Sequence, residues 1–327
     1  SRIAQMAYDT GASVDETVGR ATGLLAAALP GTLRGSPRRS QVVLDELLAR
    51  IERIMRGEES AAGLPTGLAD LDKVTWGMFP GDLIYVAARP RIGKSALLGT
   101  IADNVTRRLR RRALVFSLEM PAETWISRTL AGAADVDFER VRLGTLSDAD
   151  LARVTVSAGA MGDAGLWIDD TPGQTDGDIR TKSRRLHDEV GLDVVLVDYV
   201  QMVRASVKQA SRHLDVGWVS GQLKNMAREL RVPVVAACMV GRTVEASADK
   251  MPGLADLRES GSLEADADQV WFINRPEVYD ATEKPGIAEI KVDKNRNGPT
   301  GRCDLQFDKV RQRYQDLARR ERRIQYA

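Results

Sequence analysis

The sequence predicts an α/β fold with a mostly parallel central sheet flanked by helices. Three observations predict it. From Gly63 onward, short apolar runs alternate with helical stretches, the pattern of a parallel sheet covered on both faces. One of those junctions, "AARPRIGKSALL" at 87–98, leads from a strand through Gly-Lys-Ser into a helix. At 327 residues, 43% hydrophobic and 28% charged, the chain can bury one sizeable core and carry an appendage.

Residues 1–30 read as short helices, with turn signals at Gly11 and at Leu29-Pro30-Gly31. "GTLRGSPRRS" reads as a flexible linker. In the following "QVVLDELLARIERIM", Val43, Leu44, Leu47, Leu48, Ile51, Ile54 and Met55 recur at helical spacing. That stripe must be covered, either by its own domain or by a neighbouring subunit. Linker and helix together occupy 31–57, and the main domain is expected over 58–310. Its strands are predicted at "DLIYVAA", "ALVFSLE", "GLWIDD", "DVVLVDY", "PVVAACMV" and "DQVWFIN". Two more strands, joined by an Asn-Gly-Pro-Thr-Gly turn, are predicted in "IAEIKVDKNRNGPTGRCDLQFD". Residues 311–327 read as an Arg-rich helix or a frayed basic tail that could touch DNA or a partner.

Composition excludes several classes. No apolar run approaches the roughly 20 residues that span a bilayer, so no membrane is expected. Cys238 and Cys303 stand far apart and His187 and His213 are the sole imidazoles, which argues against a disulfide framework or a zinc cluster. A reducing cytoplasm is the expected location. The first residues carry neither an initiator Met nor a signal-peptide core, so the chain reads as cut down from a longer one. Net charge is +1, so any nucleic-acid contact must come from locally concentrated charge.

The phosphate-loop residues Arg91, Ile92, Gly93, Lys94, Ser95 and Ala96 offer backbone N–H groups and a helix N-terminus to a nucleotide. Lys94 adds a point charge at the β and γ phosphates, and the Ser95 hydroxyl suits Mg²⁺. Asp198 closes the strand "VVLVD" in the manner of an acid that holds Mg²⁺. Glu119 closes "LVFSLE", next in order, and a carboxylate there points into the crevice where open α/β sheets bind ligands. It is the candidate general base for water. The run "TRRLRRR" (106–112) reads as charge at a helix C-terminus, or else as a patch for a partner or DNA.

With "GLPTGLADLDKVTWGMFPGDLIYVAARPRIGKSALL", "VFSLEMPAE", "VVLVDYVQMV", "LADLRESGSLEADADQV" and "KNRNGPTG" in this order, residues 63–308 resemble the motor domain of DnaB-type replicative helicases. The resemblance implies a RecA-like P-loop NTPase core, preceded by a short helical segment and a linker helix, that assembles as a hexameric ring and uses ATP and Mg²⁺. It implies that Lys94 and Ser95 hold phosphate and metal, that Glu119 activates water, and that Asp198 is the second metal acid. Lys294 and Arg296 resemble the pair that reaches across a subunit boundary to the neighbour's γ-phosphate. The segment 256–268 resembles a DNA loop in which Arg258, Glu259 and Gly261 contact the backbone. By charge alone it reads otherwise, since its acids outnumber its one arginine. A basic loop at 204–213 is a second candidate contact, or a plain surface loop.

The resemblance further implies that the helix at 41–55 docks on the adjacent motor domain. Residues 1–30 match only the last helices of the family's N-terminal domain, so most of that domain is expected to be missing. Members carry a Gln where this sequence has Met239, which hydrogen-bonds phosphate poorly, with Arg242 nearby. The function implied is a helicase motor that hydrolyses ATP between subunits, moves along single-stranded DNA and opens forked duplex. Further copies of the chain, a primase and a helicase loader are the implied partners. The alternative is a nucleotide-gated ring-forming accessory protein with weak or uncoupled ATPase.

Overall fold

The computed structural model describes residues 37–241 and 250–317, apart from the side chains of 258–261. The expectations for 1–36, for Arg242 and for 318–327 lie outside the described residues. The chain divides into two compact units that meet in sequence between Ala61 and Ala62. In the first, α1 (Ser40–Met55) forms where the apolar spacing predicts it, and Glu59 pairs with Arg50 and Arg53 after its end. None of its residues is buried.

The second unit contains α2 (Ala69–Thr75), β1 (Leu83–Ala88) and α3 (Lys94–Asp103), which continues into a π-helical turn at Asn104–Arg108. Then follow β2 (Ala113–Ser117), α4 (Ala122–Ala134), α5 (Phe138–Leu143), α6 (Asp148–Gly162), β3 (Leu166–Asp169), α7 (Asp176–Val190) and β4 (Val194–Asp198). The chain continues through α8 (Arg212–Leu230), β5 (Val234–Met239), α9 (Gly261–Asp266), β6 (Gln269–Asn274), β7 (Ile287–Asn295), β8 (Gly301–Asp308) and β9 (Arg313–Asp316). The strands form one sheet in the order β3-β2-β4-β5-β1-β6-β7-β8-β9. Its pairings are parallel as far as β6 and antiparallel from β6 to β9.

β1 lies at the centre, and its alternation shows why the run is apolar throughout. Leu83, Tyr85 and Ala87 enter one core cluster, while Ile84, Val86 and Ala88 enter the other. Each face is covered by helices, so neither parity can be polar. Helix starts follow local chemistry: Ser147 before α6 and Thr175 before α7 each form a reciprocal capping box with the Asp three residues on. Among the described residues, no helix is long and apolar enough to cross a membrane.

Two expectations need correction. Residues 313–316 are neither helix nor frayed tail but the edge strand β9. Tyr314, with Phe307, supplies apolar contacts that anchor the strand, a signal hidden by the surrounding arginines. The segment expected as a loop at 256–268 is mostly a 3-10 turn (Leu254–Ser260) followed by α9, because Leu257 and Leu263 are drawn into the core. Three of the arginines in 106–112 have structural partners. Arg107 pairs with Asp103, and Arg111 and the Arg112 backbone meet Asp193.

Candidate nucleotide site

β1 ends at Ala88, and the loop after it turns through two positive-φ residues, Arg91 at 67° and Gly93 at 115°. Glycine carries the larger excursion at no steric cost, and a Cβ there would meet Tyr314 Oη at 2.6 Å. Gly93 then caps α3, so the first free amides of that helix face the loop's concavity. Lys94 is buried and its Nζ donates to the carbonyls of Ala88 at 3.0 Å and Arg89 at 3.1 Å. Burial pulls its pKa down, and Asp198 and Glu119 oppose that pull. The ammonium therefore closes its own loop, and a phosphate could take over these donors.

A cleft of about 560 Å³ opens in front of the loop, lined by Arg91, Gly93, Lys94, Ser95 and Ala96 with Glu119 across from them. Ile92 is not part of the lining. Its side chain is buried, and its carbonyl accepts from Arg275 Nη1 and from Tyr314 Oη, both at 3.4 Å. Glu119 lies two residues beyond the end of β2 rather than within the strand, and it is exposed to the cleft. Asp198 ends β4 behind Ser95. It is 1% exposed, and neither of its carboxylate oxygens is satisfied by a hydrogen-bond donor. Burial pushes its pKa up, and the neighbouring Ser95 hydroxyl pulls it down, short of a bond of good geometry.

A buried carboxylate without a donor, beside a hydroxyl at a phosphate loop, fits Mg²⁺. That ion is usually held by one or two carboxylates, water and substrate phosphates rather than by a full protein cage. No cluster of three or more His, Cys, Asp or Glu suited to a metal occurs among the described residues.

Lys94, Ser95, Glu119 and Asp198 are thus brought together, while Lys294 and Arg296 are not. Lys294 pairs in register with Val270 near the start of β6, and Gln269 beside it is level with Ile84 in β1. From Ile84 to Ala88 the strand runs roughly 13 Å, and the phosphate loop lies beyond that. The cationic pair therefore sits at the opposite end of the sheet from the chain's own loop. There Lys294 Nζ donates to the Glu264 carbonyl, and Arg296 Nη2 donates to the Ala265 carbonyl at 2.9 Å. Arg258, Glu259 and Gly261 fall at the junction of the 3-10 turn and α9, and their side chains lie outside the described residues. In the basic loop at 204–213, Asp176 accepts from the Ser206 N–H and hydroxyl, which pins its first part to α7.

Sequence reasoning missed several cleft residues. Arg128 of α4, Arg275 after β6, Phe307 of β8, Lys309 and Gln312 all line it. Arg275 is buried, lies 4.1 Å over the Phe307 ring and pairs with Glu277. No local motif marks these residues. Arg128 comes with α4, which packs on α3, and the others arrive because the antiparallel strands fold back over α3, where Tyr314 N–H donates to Thr100 Oγ1.

The family model described as the DnaB-like helicase C-terminal domain matches residues 63–316. The chain is 41% identical over 280 residues to the replicative DNA helicase DnaC of Bacillus subtilis (strain 168), covering 85% of this chain and 62% of that protein. It is 42% identical over 296 residues to the replicative DNA helicase DnaB of Haemophilus influenzae, covering 88% and 63%. The chain thus spans less than two thirds of the length of these relatives. Among solved structures, an ATPase domain matches with a TM-score of 0.80 at 31% identity, over 84% of this chain and 99% of that one. A DnaB-like replicative helicase, described together with its interactions with primase, matches with a TM-score of 0.78 at 29% identity, over 97% and 75%.

Proposed function

Because this chain belongs to the DnaB-like helicase family, we propose that it is the ATP-driven motor of a replicative DNA helicase, working as a ring of identical subunits. The observation that carries this reading is the separation of its cationic groups. Lys94 lies at the loop, while Lys294 and Arg296 lie at the far end of the sheet, out of reach of the same phosphates. A heterologous, head-to-tail contact brings one subunit's far end to the next subunit's loop, and repetition of that contact gives a ring where its rotation closes. Cations supplied in trans stabilise the charge of phosphoryl transfer and contribute about 10³–10⁵ in rate.

On this reading the Gly93 loop and α3 hold the phosphates, Lys94 leaves its two carbonyls for them, and Glu119 accepts the proton of the attacking water. Mg²⁺ would rest on Ser95 and Asp198 and would neutralise charge between the β and γ phosphates. Arg258, Glu259 and Gly261 would contact the backbone of a single strand threaded through the ring, without reading bases. The exposed apolar stripe of α1, from Val43 to Met55, would dock on a neighbouring subunit. A primase or a helicase loader would be a further partner.

The test is ATP-dependent unwinding of a forked duplex, with mass measured with and without nucleotide. The expected result is a ring whose ATPase is stimulated by single-stranded DNA. Glu119→Gln should bind nucleotide but lose about 10²–10⁴ in turnover. A chain that stays monomeric with nucleotide and hydrolyses without unwinding overturns the motor reading. Met239 favours the accessory-protein alternative, which requires turnover indifferent to DNA.

A further inference from the structure

The far-end cations are held by particular groups. α9 is short, and its last carbonyls have no partner within the helix, so they form the negative end of its dipole. Lys294 Nζ takes the Glu264 carbonyl and Arg296 Nη2 the Ala265 carbonyl. Asp268, two residues beyond α9, completes the grip. Its backbone carbonyl accepts from Arg296 N–H at 2.9 Å, and its Oδ1 accepts from Arg296 Nη1 at 3.4 Å. The carboxylate itself is buried and has further partners. Oδ2 accepts from Leu83 N–H at 2.8 Å and from Lys224 Nζ. At its other end, α9 begins at Gly261, with Ser260 alone between it and Arg258-Glu259.

We propose that α9 is the joint between the DNA-contacting segment and the cationic pair, and that Asp268 is the residue that positions Arg296. The inference rests on the reading above, in which Lys294 and Arg296 serve the neighbour's nucleotide. The N–H donors of the two side chains have alternative acceptors, the α9 carbonyls with Asp268 or the neighbour's phosphate oxygens. One set of donors does not serve both in the same geometry. Delivery of the cations to phosphate therefore releases the end of α9, and a pull on residues 258–261 by DNA releases the cations. Such coupling is reciprocal by linkage. It needs no amide at position 239, where this chain has Met239.

The test is the ratio of DNA-stimulated to DNA-independent ATPase in the assembled ring, with an oligo-dT strand as the DNA. Asp268→Asn removes the charge that retains Arg296. DNA-independent turnover is expected to rise about three- to tenfold, as for the loss of one hydrogen bond of ordinary strength. The stimulated rate should hold, so the ratio falls. Asp268→Glu should restore much of the ratio, and adding Arg296→Ala to Asp268→Asn should abolish the rise. An unchanged ratio, or a rise that survives Arg296→Ala, overturns the proposal.

If Asp268→Asn does not fold, amide exchange of the otherwise unaltered ring decides. A non-hydrolysable ATP analogue added without DNA should speed exchange at 262–268 in that ring and not in Arg296→Ala. Equal exchange in the two overturns the joint. Failure of the underlying reading is separately visible, because Arg296→Ala would then hydrolyse at the full rate with DNA present.

Discussion

Gln201 and Met239 hold each other through both halves of one amide. Gln201 Nε2 donates to the Met239 carbonyl at 3.1 Å, and its Oε1 accepts from the Met239 N–H at 3.2 Å. Gln201 follows Asp198 by three residues, so the segment that carries this buried carboxylate also grips the tip of β5. Met239 in turn lines the nucleotide cleft. The two backbone groups of Met239 are satisfied by a side chain from the neighbouring strand's exit.

Gln201→Ala should therefore cost about 1–2 kcal/mol, since it leaves a donor and an acceptor without these partners. Gln201→Glu keeps the acceptor and should recover part of that loss. Urea unfolding at fixed slope measures both. A midpoint for Gln201→Ala equal to that of the parent would show that the bonds contribute nothing.

The proposed division of the site between subunits has its own test. Lys94→Ala removes the cation from the loop, and Arg296→Ala removes the cation that the proposal offers to the neighbour. Each variant ring alone should be nearly inactive. In equal mixtures that exchange subunits, about a quarter of the head-to-tail contacts pair an intact loop with an intact Arg296. ATPase should reappear in the mixture and in neither parent. A mixture as inactive as its components would place both residues in one site.

Most of the architecture was legible because its signals are local. The apolar runs of β1 to β6 and the Gly93-Lys94-Ser95 turn are each contained in a few consecutive residues. Asp198 follows from its position at the end of β4, and Glu119 from the apolar run that it closes, although β2 itself stops two residues earlier. The rest depends on distant pairing. β9 has four residues and lies among arginines, and it is specified by Tyr314 meeting Phe307 and Thr100 rather than by its own pattern. The hold of Glu264 and Ala265 on Lys294 and Arg296 joins residues about thirty apart through backbone carbonyls, which no side-chain motif records.

Tyr314 closes the phosphate loop from behind. Its ring is buried at 4.9 Å from the Phe307 centroid, and its hydroxyl reaches the Ile92 carbonyl at 3.4 Å. Tyr314→Ala should cost about 3–5 kcal/mol and weaken nucleotide binding as the loop loses its backing. Tyr314→Phe keeps the ring and gives up one long hydrogen bond, about 0.5 kcal/mol. Calorimetric melting with a parallel nucleotide titration separates the two. Equal losses would mean that the hydroxyl, not the ring, holds the loop.

Asp82 gives the far end of the sheet a dependence on pH. It is buried just before β1 and accepts from Asn297 Nδ2 at both oxygens and from Gln269 Nε2 at 3.4 Å. Burial and the nearby Asp268 carboxylate push its pKa up to about 6, against the pull of Asn297, Gln269 and Lys224. The folded chain holds this proton more tightly than the unfolded chain does. The stabilisation is therefore complete below about pH 4 and is lost as pH rises through about 6. At pH 8 the ionised carboxylate is a cost, and Asp82→Asn removes the charge while keeping one oxygen for Asn297. That variant should be more stable than the parent at pH 8 by about 1–3 kcal/mol, and the difference should shrink toward pH 4. Denaturant midpoints measured across that range test the sign. A gap that does not change with pH would show that Asp82 titrates alike in the folded and unfolded chains, and that its burial is fully offset by Asn297, Gln269 and Lys224.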